Sequence, residues 1–181
     1  IPAELNCAKV MIDMERIGYE SARQLIAWGR RRLLILTSVC NLPQMIGSLY
    51  IAGATRALAE VGLAPAGLVT KPEIVEADLL PYFAEGLKCD AILGRDSLLV
   101  GACEVAGKFG YAFPDDFDLV GFANTPWSQS YRFSSFDFQV DEMARRVVAA
   151  AGHNRREHEL IAPQEVIRRH SGAAVPVNSF K

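Results

Sequence analysis

Cysteine is sparse and unpaired in this chain. Its four residues, Cys7, Cys40, Cys89 and Cys103, lie far apart with no CxxC spacing. That favours buried or free thiols in a reducing compartment over disulfides, so a cytoplasmic location is expected, with a mature exported protein as the alternative. Histidine is scarcer. His153, His158 and His170 fall in the last thirty positions without the i, i+4 spacing of a helical metal pair, so neither a metal nor a cofactor is expected. No apolar run approaches the ~20 residues of a membrane span. The N-terminal stretch IPAELNCAKV lacks the basic-then-apolar order of a secretory signal. An excess of either charge is missing too: 19 Lys plus Arg stand against 21 Asp plus Glu, which leaves no footprint for nucleic acid or a membrane surface. GxGxxG, GxxxxGK[ST] and GxSxG are all absent, so the common nucleotide and hydrolase loops are excluded. Nothing resembles a catalytic constellation, and no enzyme is expected.

What remains is a soluble globular composition, half hydrophobic and 22% charged. From about residue 9 to 122, short Leu-rich or β-branched runs alternate with segments of helical period. AKVMI reads as a strand. Residues 15–28 form an amphipathic helix with Gly18, Ala22, Leu25 and Ile26 on one face, stopped by Gly29. RLLILT (32–37) is a continuous apolar run, expected of a strand covered on both faces. Helix 43–61, strand 66–70, helix 74–86, strand 89–94, helix 96–109 and strand 118–122 follow. Such alternation implies an α/β fold with a doubly wound parallel sheet, whose core strands are 33–37, 66–70, 89–93 and 118–122. Beyond Trp127 the pattern changes. FSSFDF (133–138) reads as a half-buried strand, with Phe136 and Phe138 on one face and Ser135 and Asp137 on the other. Helix 139–151 carries an apolar stripe of Val140, Met143, Ala144, Val147 and Ala151. ELIAP and EVIRRHS read as two short closing strands, and the tail GAAVPVNSFK has no periodicity.

Two carboxylates draw notice. Asp13 and Asp96 each follow an apolar strand and precede a helix, where helix capping is the simpler role. Both would also lie on the rim of one crevice at the strand ends. Asp115 and Asp116, after Pro114, are explained by turn chemistry. The stretch FPDDFDLVGFANTPW runs an apolar strand into a small polar loop at a carboxyl strand end, where α/β proteins hold ligands.

The order of motifs resembles that of lactose-repressor (LacI/GalR) family regulators. VMIDMERIGYESARQLIAWGRRRLLILT is similar to the family stretch V-x-x-D, a glycine-containing helix start, A-x-x-L and G-H-R-R-I. Asp13, Gly18, Ala22, Leu25, Gly29, Arg31 and Arg32 match it, with Arg30 where His is usual. AGATRALAEVGL looks like A-G-F-x-x-A-L-x-x-A-G-L. CDAILGRDSLLVGACEVAGKFGYAFPDDFDLVGF is similar to P-D-A-I-F-x-x-N-D-x-x-A-x-G-A followed by G-x-x-V-P-x-D-x-x-V-x-G-F. FSSFDFQVDEMARRVV parallels L-T-T-V-x-Q-P-x-x-E-M-G-R-x-A, and ELIAPQEVIRRHSG parallels L-x-P-x-L-V-x-R-x-S-T-G. The resemblance runs over residues 9–172.

It implies a periplasmic-binding-protein-like effector-binding domain, two lobes closing on a small molecule such as a sugar or nucleobase. Of that domain this chain would supply the C-terminal lobe, about 13–127 and 155–172. Segment 133–151 would cross to a first lobe, and Asp13 would sit at the hinge. Lacking that lobe, segment 133–151 is expected to be mispaired or mobile. Operator DNA would be bound only through a headpiece this chain lacks. The family's ligand-holding Arg and Asp fall on Tyr50 and Ala123, and its strand-end aromatic on Leu93. Ligand contacts are therefore expected from Gln44, Tyr50, Leu93, Arg95, Asp96, Ala123, Asn124 and Trp127, a set suited to a flatter or less hydroxylated effector. A homodimer contact is expected on helix 96–109, which is apolar nearly all round, and the resemblance places the family's dimer contacts there at Leu99, Val100 and Cys103. A periplasmic-type solute-binding protein is the alternative of the same fold.

Overall fold

The computed structural model describes residues 9–38, 46–152 and 158–168. Gln44, most of the expected loop 38–46, and the tail lie outside them. The chain opens with strand β1 (Lys9–Ile12) and helix α1 (Met14–Ala27). The Asp13 carboxylate accepts the Arg16 N–H at 2.9 Å and caps α1. Gly29, at φ 88°, turns the chain out of the helix. Then come β2 (Leu33–Thr37), α2 (Ile46–Ala59), β3 (Gly67–Thr70), α3 (Glu76–Phe83), β4 (Ala91–Arg95), α4 (Asp96–Lys108) and β5 (Asp118–Phe122). Short α5 (Pro126–Tyr131) leads to β6 (Ser134–Asp137), α6 (Val140–Gly152), β7 (His158–Ile161) and β8 (Gln164–Val166).

Six strands form one sheet in the order β3-β2-β4-β5-β6-β8. All neighbours are parallel except β6 and β8. The four core strands therefore pair in parallel as the strand–helix alternation implies, with β3 at the edge leaving Leu68 exposed. Alternate residues of β2 point to opposite faces: Leu33 and Ile35 join the cluster under α1 and α2, Leu34 and Leu36 the one under α3 and α4. β4 begins two residues later than expected. Asp90 precedes it because its carboxylate accepts the Arg31 and Arg32 N–H groups at the base of the sheet. Asp116 accepts the Ala112 N–H at 2.7 Å, which is the turn role expected of it.

β1 and β7 stand apart as a two-stranded parallel sheet. α6 packs on β1, with Met143 against the cluster containing Ile12 and Ile161. Three crossovers join this small unit to the main sheet: after Ile12, after Asp137 and after Ile161. Two expectations are corrected here. Segment 133–151 does not cross as a whole, because β6 pairs parallel to β5 and antiparallel to β8; crossing begins only after Asp137. Nor is β6 mispaired or half-buried. Lying between two strands, it buries Phe136 on one side and Ser135 on the other. The exposure expected of the segment is confined to α6, where Val140, Val147 and Val148 are exposed.

Candidate functional site

The carboxyl edge of the main sheet meets the second crossover at a cleft of about 410 Å3. Ala123 lines it from the β5–α5 loop. Asp137, Gln139, Asp141, Glu142 and Arg145 line it from the crossover and the first turns of α6, and Gln164 from β8. Two parallel strands ending side by side above a helix connection give this edge its concavity.

Backbone conformation shapes the wall. Ala123, Asn124 and Gln139 take φ values of 93°, 47° and 51°, in the left-handed region where a side chain costs energy. Side-chain bonds compensate. Asn124 Nδ2 donates to Asp137 Oδ2 at 2.8 Å, and Asn124 Oδ1 accepts from the Arg168 guanidinium. The same Arg168 donates to Phe133 O at 3.1 Å and, through its N–H, to Ser134 Oγ at 3.0 Å. Gln139 N donates to Asp137 Oδ1 at 2.6 Å, and Gln139 Nε2 to Ala162 O at 2.5 Å. The second and third crossovers are thus tied to each other and to the β5–α5 loop. Asp13 N donates to Ile161 O at 3.0 Å, which fastens the first crossover to the third.

Charge in the cleft is mostly paired. Glu142 bonds Arg145 and Arg146, each at 2.6 Å, and the hydrogen bond from Arg146 holds its carboxyl below the ordinary range. Asp137 spends both oxygens on Asn124 and Gln139. Asp141 and Gln164 are left with no side-chain partner among the described residues, so they can serve a ligand.

The residues expected to touch a ligand divide sharply. Tyr50 does not line the cleft. Its ring is fully buried between α1 and α2, 4.8 Å from Phe122, and neither its hydroxyl nor that of Ser21 has a hydrogen-bond partner within bonding geometry among the described residues. Burial raises the Tyr50 phenol well above its ordinary pKa, the adjacent Ser21 hydroxyl opposing and the Asp96 charge adding. Leu93 is buried on the α1–α2 side of β4. Asp96 is buried as well, and it caps nothing in its own helix: its oxygens accept from Thr125 and Ser135. Asn124 has both ends of its amide engaged internally. What stays open at this edge is Ala123 in part, Arg95 at the end of β4 with no partner among the described residues, and Trp127, 52% exposed.

The dimer residues are corrected too. Leu99 and Val100 are buried within the chain, because α4 packs on the sheet and on both α3 and α5. Three neighbours use up the apolar surplus that suggested a partner. Cys103 is only partly covered.

Sequence reasoning missed Thr125, Asp137, Gln139, Gln164 and Arg168. One signal was present: Asp137 is a carboxylate at a strand end just before a helix, the placement that had singled out Asp13 and Asp96.

No protein-family model matches the sequence, and no curated protein does. Solved structures do match in fold. A LacI family transcriptional regulator from Silicibacter pomeroyi superposes with TM-score 0.75 at 23% identity, the match covering 93% of this chain and 65% of that one. A putative LacI-family regulator from Sanguibacter keddieii gives TM-score 0.77 at 22% identity, covering 96% and 69%. A periplasmic binding protein/LacI transcriptional regulator from Alkaliphilus metalliredigens, in complex with D-xylulofuranose, gives 0.76 at 14%, covering 93% and 67%. The chain spans about two thirds of the length of these proteins. Its fold is the α/β fold of these LacI-family regulator structures.

Proposed function

We propose that the chain is the effector-sensing part of a bacterial transcriptional regulator, holding a small molecule in the cleft at the second crossover without chemistry. The observation that carries this is the cleft's position. It lies between the carboxyl edge of the main sheet and the β1–β7–α6 unit, and its walls are the residues that tie the crossovers together. A ligand touching both walls favours one relative placement of the two units, and binding energy that differs between placements is what shifts such an equilibrium. One of the fold neighbours holds D-xylulofuranose, which supports a sugar or a metabolite of similar size.

The accessible groups narrow the contacts. Within the cleft Asp141 and Gln164 offer polar contact and Ala123 apolar surface, while Arg95 and Trp127 stand outside its lining at the same edge of the sheet. So few free hydrogen-bonding groups suit a flatter or less hydroxylated effector than a hexose. In this reading DNA is contacted by another part of the regulator, and the functional unit is a homodimer. Its contact passes from the buried Leu99 and Val100 to the outer face of α4, where Cys103 and exposed Gly107 lie one turn apart.

A thermal-shift panel of D-xylulose, hexoses, nucleobases and aromatic acids tests the reading. A compound that raises Tm in the wild type, with the rise reduced in Asp141→Ala and Gln164→Ala, is expected. A hexose bound tightly by the wild type and by both variants alike contradicts the contacts assigned here.

A further inference from the structure

Asp96 opens α4 and is fully buried, yet among the described residues none of its hydrogen bonds comes from a cation or from its own helix. Its Oδ2 accepts from Thr125 N at 2.8 Å and Thr125 Oγ1 at 2.9 Å; its Oδ1 accepts from Ser135 Oγ at 2.8 Å. Ser135 Oγ accepts in turn from Asn124 N at 3.0 Å, and Ala123 N donates to Phe136 O at 2.8 Å. Every amide from 123 to 125 is therefore spent on β6 or on Asp96. Those are the residues around the left-handed backbone of Ala123 and Asn124, a conformation that persists only where its surroundings hold it.

The sequence makes room for this carboxylate. A Cβ on Gly121 would stand 2.1 Å from Asp96 Oδ1. Glycine weakens the middle of a strand, and here it lets a side chain from α4 pass across β5 to reach β6. Capping does not account for the arrangement, because among the described residues α4 has no side-chain cap bond.

We propose that Asp96 is the positioning residue of the cleft. It sets the conformation of loop 123–125, and with it the wall that Ala123 presents, without touching a ligand. The proposal rests on the effector reading only for what the cleft holds; the setting of the loop stands without it.

Amide hydrogen exchange tests it in wild type, Asp96→Asn and Asp118→Asn. Asp118 is a matched control, a fully buried carboxylate at the opposite end of the same sheet, 2.6 Å from Arg30 Nε. In Asp96→Asn the Asn124 and Thr125 amides are expected to exchange at least about ten-fold faster relative to Ile35 and Leu93, the equivalent of one lost charged hydrogen bond. Asp118→Asn is expected to lower protection everywhere without changing that ratio. A ratio within about two-fold of wild type in Asp96→Asn overturns the proposal, as does equal loosening in Asp118→Asn. Should Asp96→Asn fail to fold, Ser135→Ala and Thr125→Val each remove one of its partners and are read by the same ratio. Loosening as expected in a protein that binds nothing on the panel supports the positioning role and removes the effector reading.

Discussion

Gly18 and Gly53 set how closely α1 and α2 approach. A Cβ on Gly18 would stand 2.0 Å from Tyr50 O, and one on Gly53 1.9 Å from Glu15 O. Backbone cannot yield as a side chain can, so Gly53→Ala is expected to cost about 2–3 kcal/mol, the range of a forced helix displacement, in denaturant unfolding. Gly101, in α4, meets nothing within 4 Å, and Gly101→Ala should stabilise by about 0.5–1 kcal/mol through helix propensity alone. Two glycines in helices thus answer oppositely to one substitution. The thiols make a second residue-scale case. Burial pushes Cys89 and Cys103 up to about 12, with the nearby acidic charges of Asp90 and Glu104 adding. Both should resist iodoacetamide at pH 8, as peptide mapping by mass spectrometry will show. Because both folded values lie above the ordinary thiol value of 9.0, their protonated forms favour folding fully below pH 9. That contribution is lost as pH rises from 9 towards 12. Gly18, Ala22 and Leu25 were legible as the buried face of α1 from helical spacing alone. Tyr50 was not. Its fate depends on the α1–α2 approach, which no local pattern in residues 46–59 encodes.

At the scale of elements, β6 and α6 show where alternation misleads. FSSFDF alternates as a half-buried strand does, yet β6 is covered on both faces, because two small serines can be buried where Asp96 and Arg168 supply hydrogen bonds. Phe133, fully buried and edge-on to Phe113 at 6.4 Å between ring centres, anchors that junction. Phe133→Ala is expected to cost about 3–5 kcal/mol in denaturant unfolding, as a large aromatic truncation in a core does. By contrast Val148→Lys on the exposed face of α6 should change stability by no more than about 0.5 kcal/mol. A larger loss would show that this face is covered in solution. Six residues of α5 gave no period to read; Pro126 directly after Thr125 was the one start signal. In α4 the apolar surplus was read correctly, but the partners were α3 and α5 of the same chain.

For the whole molecule, strand–helix alternation conveyed a parallel α/β sheet but neither the strand order nor its division into two sheets. β1 pairs with β7 across most of the chain's length, a match of sequence-distant strands that no window of residues displays. The motif resemblance supplied the fold, and the fold neighbours bear it out at identities where few individual ligand contacts carry over. Gly107→Glu is expected to convert a dimer to a monomer in sedimentation at high micromolar concentration; a wild-type monomer under those conditions removes the dimer from this account. The central claim is that the cleft at the second crossover holds a small molecule. An 15N-resolved titration with the compound that most raises Tm, or with D-xylulose if none does, tests it most directly. The account predicts saturable shifts at Ala123, Gln139 and Gln164, with Asp90 and Asp118 at the far end of the sheet unmoved. Shifts absent from the first group, or centred on the second, would contradict it.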